Sequence, residues 1–241
     1  MLDPYSQEQL ITGLTNVRKF FLDSKPHIRA YNKARSIHSE IVNAMIQYHH
    51  DGKFERRIDN GIVPEPKPEN LYLLESDFNL KTREGRQAFY DMLIYKPASS
   101  ISCITEDFIR NHRYKKPEKI EFLHSMLDSK LGLFEVTGID MEEGYAYIKN
   151  VFTGVEYTII DIGLSGQPNY GDIYIYTRII TYHDISFSTG LNLLFNKTEK
   201  FIKNHIQEHK KNFIPDLEFA RFTELYNHFS QNKNKVKVTT T

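Results

Sequence analysis

Residues 131–180, LGLFEVTGIDMEEGYAYIKNVFTGVEYTIIDIGLSGQPNYGDIYIYTRII, decide how this chain folds. Aromatic and β-branched residues alternate there with polar ones, and Gly, Asn and Asp fall at the breaks, as in short antiparallel strands joined by turns. The spacing predicts strands at about 131–137, 145–151, 155–160 and 173–180, with Phe152-Thr153-Gly154 closing a hairpin between the second and third. Successive side chains of a strand point to opposite faces. Ala146 and Ile148 therefore share one face, while Tyr145, Tyr147 and Lys149 share the other. The fourth strand repeats the division, with Ile173, Ile175 and Ile179 against Tyr174, Tyr176 and Arg178.

The aliphatic face is a core face. The second face carries two tyrosines and a cation on each strand and has two readings. Left open, it would stack nucleobases or another planar partner while Lys149 and Arg178 meet phosphates. Covered by a helix, its rings would be core, with their hydroxyls reaching a rim or a partner.

Outward from this stretch the period changes from two to between three and four. Asp3 or Ser6 can cap a helix to about Leu22, with Leu10, Leu14, Val17 and Phe21 on one side. A second helix, about His27 to Tyr48, carries Ile37, Ile41, Met45 and Tyr48 and stops at Asp51-Gly52. Prolines at 64, 66 and 68 make the next run an extended connector, with a short strand at Leu71 to Leu74. Thr82 then caps a helix through about Tyr95 that Pro97 stops, and Thr105 with its two following acids starts another toward His112. Pro117 opens a helix to about Asp128. Beyond the strands, Asn196 or Thr198 opens a helix to about Lys211 and Pro215 opens one to about Phe229, while the tail NKNKVKVTTT has little to bury. The expected architecture is α+β, a small antiparallel sheet or partly closed barrel flanked by N-terminal and C-terminal helices. It divides softly into a mainly helical region at 1–115, a β-module with its preceding helix at 116–190, and C-terminal helices with the tail at 191–241.

The run from His112, HRYKKPEKIEFLHSMLDSKLGLFEV, followed by NVFTGVEY, DIGLS and GDIYIYTRII, resembles a β-module of uncharacterised bacterial proteins over about 112–195. In some of those proteins the module accompanies an SEC-C metal-binding motif. The resemblance implies a bacterial source and no particular activity. The Cys-rich SEC-C motif is missing here, so no zinc role is carried over.

Composition narrows the function further. The 31 basic and 31 acidic side chains cancel, which argues against a general polyanion binder but allows a local patch. Residues 197–241 hold nine Lys or Arg against five acids, a basic end that could meet phosphate or an acidic partner. Cys103 is the sole cysteine, so there is no disulfide framework, and the start MLDPYSQEQLITGL lacks the pattern of a signal peptide. No apolar run approaches the roughly 20 residues of a membrane span. A cytoplasmic protein with no membrane association is expected.

His205-Ile206-Gln207-Glu208-His209 is the sharpest chemical motif, an HxxEH in which two histidines one helical turn apart could hold zinc while Glu208 acts as base. A third ligand would come from elsewhere, with Glu218 and Glu224 the nearest downstream carboxylates. His49 and His50 are adjacent, about 100° apart on a helix, and suit a helix C-terminus better than a metal. His183-Asp184 reads as a turn, and Gly163-Leu164-Ser165-Gly166 lacks the final glycine of a nucleophile elbow because Gln167 stands there. No P-loop or GxGxxG occurs. The reading that joins these features is a non-enzymatic binding or interaction protein without cofactor or metal, whose Tyr145, Tyr147, Lys149, Tyr174, Tyr176 and Arg178 meet single-stranded nucleic acid or a protein partner. A zinc-dependent hydrolase at 205–209 and a structural homo-oligomer are the alternatives.

Overall fold

The computed structural model describes residues 18–51, 78–95, 103–111, 114, 116–167, 170–211 and 218–232. Five strands run β1 (Lys130–Asp140), β2 (Tyr145–Asn150), β3 (Glu156–Ile160), β4 (Ile173–Tyr182) and β5 (Ile185–Asn196). All their pairings are antiparallel, in the order β3-β2-β1-β4-β5, and helices flank the sheet, so the fold is α+β. The outer strands β3 and β5 approach each other: Ile160 and Ile185 join one apolar cluster with Leu22 and Ile28, and Ser188 Oγ donates to Asp161 Oδ2, just past β3, at 3.4 Å. Side chains, without a backbone ladder, join these two edges.

The four expected strands are present, and the hairpin between β2 and β3 turns as its residues require. Asn150 Oδ1 accepts from the Phe152 and Thr153 amides at 2.9 Å each, and Gly154 takes the positive φ of 74° that a residue with a Cβ avoids. What the periodicity did not reveal is β5, which carries the sheet on from the His183-Asp184 turn to Asn196. The reason is a bulge. Opposite Arg178 the register shifts, so Ser188, Thr189 and Gly190 interrupt the alternation that resumes at Leu191, Leu193 and Phe195. Gly190 sits in this bulge at φ 104°.

The helices are α1 (Pro26–His50), α2 (Arg83–Ile94), α3 (Ile104–Asn111), α4 (Pro117–Leu127), α5 (Lys200–Lys211) and α6 (Glu218–Asn232), and residues 18–23 are also helical. Proline stands at the first turn of α1 and α4, where its missing amide costs nothing, and Thr82 caps α2 by accepting from the Gly85 amide at 3.1 Å. Asn196 and Glu199 bond reciprocally to each other's neighbourhood, the Asn196 amide to Glu199 Oε1 at 3.0 Å and the Thr198 amide to Asn196 Oδ1 at 2.9 Å, which turns the chain into α5. The expected cap at Asp3 or Ser6, the proline connector with its strand at Leu71 to Leu74, the stop at Pro97, the helix start at Pro215 and the C-terminal tail lie outside the described residues. No described helix is long and apolar enough to cross a membrane.

Apolar side chains collect in layers. Phe134, Val136, Ala146, Ile148, Ile159, Ile175 and Ile179 form the aliphatic face, closed by Leu164 from the turn after β3. On the other side, Ile37, Ile41 and Met45 of α1 meet Phe108 of α3, Phe122 and Met126 of α4, and Ile180 and Phe187 of the sheet. Beside them Phe89 and Met92 of α2, Ile202 and Ile206 of α5, and Phe222 and Leu225 of α6 cover Leu133, Tyr176, Leu193 and Phe195.

Candidate functional site

These helices divide the tyrosine-and-cation face. On β4, Tyr176 is 1% exposed and tilts against the Phe222 ring at 5.9 Å, and Arg178 is 2% exposed. The expectation of an open stacking surface is therefore corrected for this pair: burial removes the Tyr176 ring from any external base, and Arg178 spends its charge on the Asp91 carboxylate, Nε to Oδ2 at 2.9 Å. On β2, Tyr147 is 40% exposed, while Tyr145 is half-buried beneath the stacked His27 ring at 5.0 Å. Lys149 pairs with Glu156 at 3.1 Å, and Lys197 lies over the half-buried Tyr174 ring at 5.3 Å. Lys149 and Tyr174 border one open groove with Phe152 and Lys210. Asp140 at the end of β1 and Glu142 and Glu143 in the turn after it add negative charge, which Lys25 offsets in part by pairing with Glu143.

A different concavity lies on the helix-covered side. A cavity of about 280 Å³ opens between α1, α2 and β5. Val42, Ile46, Ile94 and Leu191 give it an apolar wall, with Tyr90 beside them. Its floor holds His38, Asp91, Tyr95 and Thr189, and its mouth holds Arg83, Arg86 and Gln87. Both arginines are exposed, and Arg86 Nη1 is anchored on the Leu80 carbonyl at 2.9 Å.

Each polar group of the floor has a partner within the layer beneath. Thr189 Oγ1 donates to Asp91 Oδ1 at 3.2 Å, so both Asp91 oxygens are occupied once Arg178 is counted. The Arg178 guanidinium stacks over the Tyr95 ring at 4.8 Å and reaches Ser129 Oγ at 3.4 Å. Burial raises the Asp91 carboxyl, and the bonds from Arg178 and Thr189 offset part of that rise. Burial also holds the His38 imidazole down at about 3, helped by Arg35, so its ring is neutral. The Tyr95 hydroxyl is pushed well above its usual value, first by burial and then by Asp91, so it keeps its proton, and it shares a hydrogen bond with His38 Nε2 at 2.5 Å. The bulge makes this floor: it turns Thr189 toward Asp91 and leaves Gly190 with no side chain on the cavity side, where an added Cβ would find only Gln87 Nε2, at 3.8 Å.

Sequence reading missed this site because its members come from three distant elements and match no motif. The Ser188-Thr189-Gly190 break and a lone Asp91 among Phe89, Tyr90, Met92 and Leu93 were its signals. The other expected groups fall elsewhere. In the HxxEH, Glu208 is exposed, and the carboxylate beside both rings is Glu224, 3.0 Å from His205 Nδ1 and 3.3 Å from His209 Nε2. His50 bonds Tyr90 Oη at 3.0 Å. His183 sits in the β4–β5 turn, 3.7 Å from Glu121. Ser165 Oγ accepts from Arg18 Nη2 at 2.8 Å, and burial pushes the Cys103 thiol up to about 11. Neither is arranged as a nucleophile.

Searches of curated proteins and of solved structures return no match to this chain. A family model described as "Family of unknown function (DUF7986)" matches residues 25–237, a span that takes in every element from α1 to α6. The chain thus belongs to DUF7986, a family of unknown function.

Proposed function

We propose that this chain is a non-enzymatic binding protein that takes a small ligand, with an apolar body and an anionic group, into the cavity between α1, α2 and β5. The observation that carries the reading is the division of labour in the cavity. Its wall is apolar and concave, its floor groups are bonded to one another, and its mouth presents the Arg83 and Arg86 guanidinium groups. Small-molecule sites combine a largely apolar lining with a few placed polar groups, and arginine suits carboxylate or phosphate. The volume is at the small end for such sites and fits a body of one or two rings.

The same bonds argue for binding over catalysis. A general base is placed to face its substrate, whereas His38 Nε2 faces the Tyr95 hydroxyl and each Asp91 oxygen already holds a hydrogen bond from Arg178 or Thr189. The probe that tests the reading is 1-anilinonaphthalene-8-sulfonate, whose fused rings and sulfonate match the wall and the mouth. Native protein should bind it saturably at one site with blue-shifted emission. Arg83→Glu should weaken that binding about tenfold, equivalent to about 1.4 kcal/mol. Val42→Trp, which fills the wall, should abolish it. Saturable binding that ignores both changes would place the ligand elsewhere and overturn the reading.

A further inference from the structure

The geometry points to a divalent transition-metal site between α5 and α6, formed by His205 and His209 of α5 with Glu224 of α6. It is independent of the cavity. Residues four apart on a helix lie one above the other, and the two imidazoles are accordingly 4.3 Å apart between ring centres. From α6 the Glu224 carboxylate enters between them, with Oε2 within 3.0 Å of His205 Nδ1 and 3.3 Å of His209 Nε2. One ligand atom from each residue lies within 4.8 Å of the others, close enough for a single ion to draw them together.

A second observation concerns His205 itself. It is 3% exposed, and its Nε2 is a buried nitrogen with no hydrogen-bond partner among the described residues. An imidazole placed in an apolar wall with a nitrogen unpaired is disfavoured unless another interaction compensates. Coordination of the ring to a metal ion is one such interaction. The wall is aromatic: the Phe201 ring stacks on His205 at 5.9 Å, and Phe152 stands edge-on to both imidazoles at 6.1 and 6.2 Å. Glu224 remains half exposed, which leaves the ion open to solvent on one side.

Two imidazoles and one carboxylate suit zinc and its neighbours in the first transition row, and they disfavour magnesium and calcium, which take oxygen ligands. Glu208 is exposed and the carboxylate at the rings is Glu224, so the site holds an ion between α5 and α6 without the base that the HxxEH spacing offers. Its consequence is a staple between two helices that cover β4 and β5.

Isothermal titration of untagged, chelator-treated full-length protein with zinc chloride tests this. One ion should bind per chain, and the melting temperature should rise with zinc concentration, because a ligand of the folded state stabilises it. His209→Ala and Glu224→Gln, both at partly exposed positions that the core does not need, should each weaken binding at least tenfold. Magnesium should produce neither effect. Absence of one-to-one binding, zinc affinity unchanged in both variants, or equal response to magnesium would each overturn the assignment.

Discussion

β2 and β4 carry the same sequence device and meet opposite fates. Tyr145, Tyr147 and Lys149 alternate along β2, and Tyr174, Tyr176 and Arg178 alternate along β4, with β1 between the two strands. On β2 the middle tyrosine is exposed and the cation makes a surface ion pair. On β4 the middle tyrosine lies under α6 and the cation closes a buried network with α2. Alternation decides which face a side chain takes. Whether that face is wet is decided by helices more than 30 residues away in sequence, such as the one that brings Asp91 to Arg178 across a separation of 87.

The largest predicted difference between the strands is in their cations. Arg178→Ala leaves the Asp91 carboxylate buried without its main partner and should cost about 3–5 kcal/mol in urea unfolding. Lys149→Ala breaks an exposed pair and should cost less than about 1 kcal/mol. Equal losses would break the comparison. The tyrosines should follow the same order: Tyr176→Ala removes a ring from a packed core at about 3–5 kcal/mol, whereas Tyr147→Ala should stay within about 0.5 kcal/mol, read from the same unfolding curves.

Acid should separate the two sides next. The folded His38 has its ionisation lowered from 6.5 to about 3, so the unfolded chain binds the proton more readily between those values. The stability this group confers is complete above pH 6.5 and is lost as pH falls toward 3, by at most about 1.4 kcal/mol per unit. His38→Gln, whose amide oxygen can still accept from Tyr95, should flatten that part of the acid limb relative to the native chain. An unchanged limb would show that His38 is not held neutral. Within the cavity floor a smaller loss than that of Arg178→Ala should come from Thr189→Val, which keeps shape but removes one bond to Asp91, at about 1–2 kcal/mol in urea unfolding.

The sheet was legible because its signal is local: Ala146 with Ile148, and Ile173 with Ile175, state their face within three residues. Helix caps such as Thr82 and Pro117 were legible for the same reason. β5 was not, because the bulge at Thr189-Gly190 hides the period where the strand bends to aim a side chain. The cavity was unreadable for a related reason. His38, Asp91 and Thr189 each look unremarkable beside their sequence neighbours, and only packing makes them one floor. Of the histidine cluster, the HxxEH showed two members and the downstream acids included Glu224, yet helix packing chose it over Glu208.

The account's central claim is that the helix-covered half of the sheet, and not the open β2–β3 half, holds the binding site. Backbone amide spectra of nitrogen-15-labelled full-length protein, titrated with 1-anilinonaphthalene-8-sulfonate, test it most directly. The account predicts saturable shifts at Arg83 to Tyr95 and at Thr189 to Leu191, with residues 145–158 unmoved. Shifts centred on Tyr147, Lys149 and Thr158, with the α2 and β5 amides silent, would contradict it.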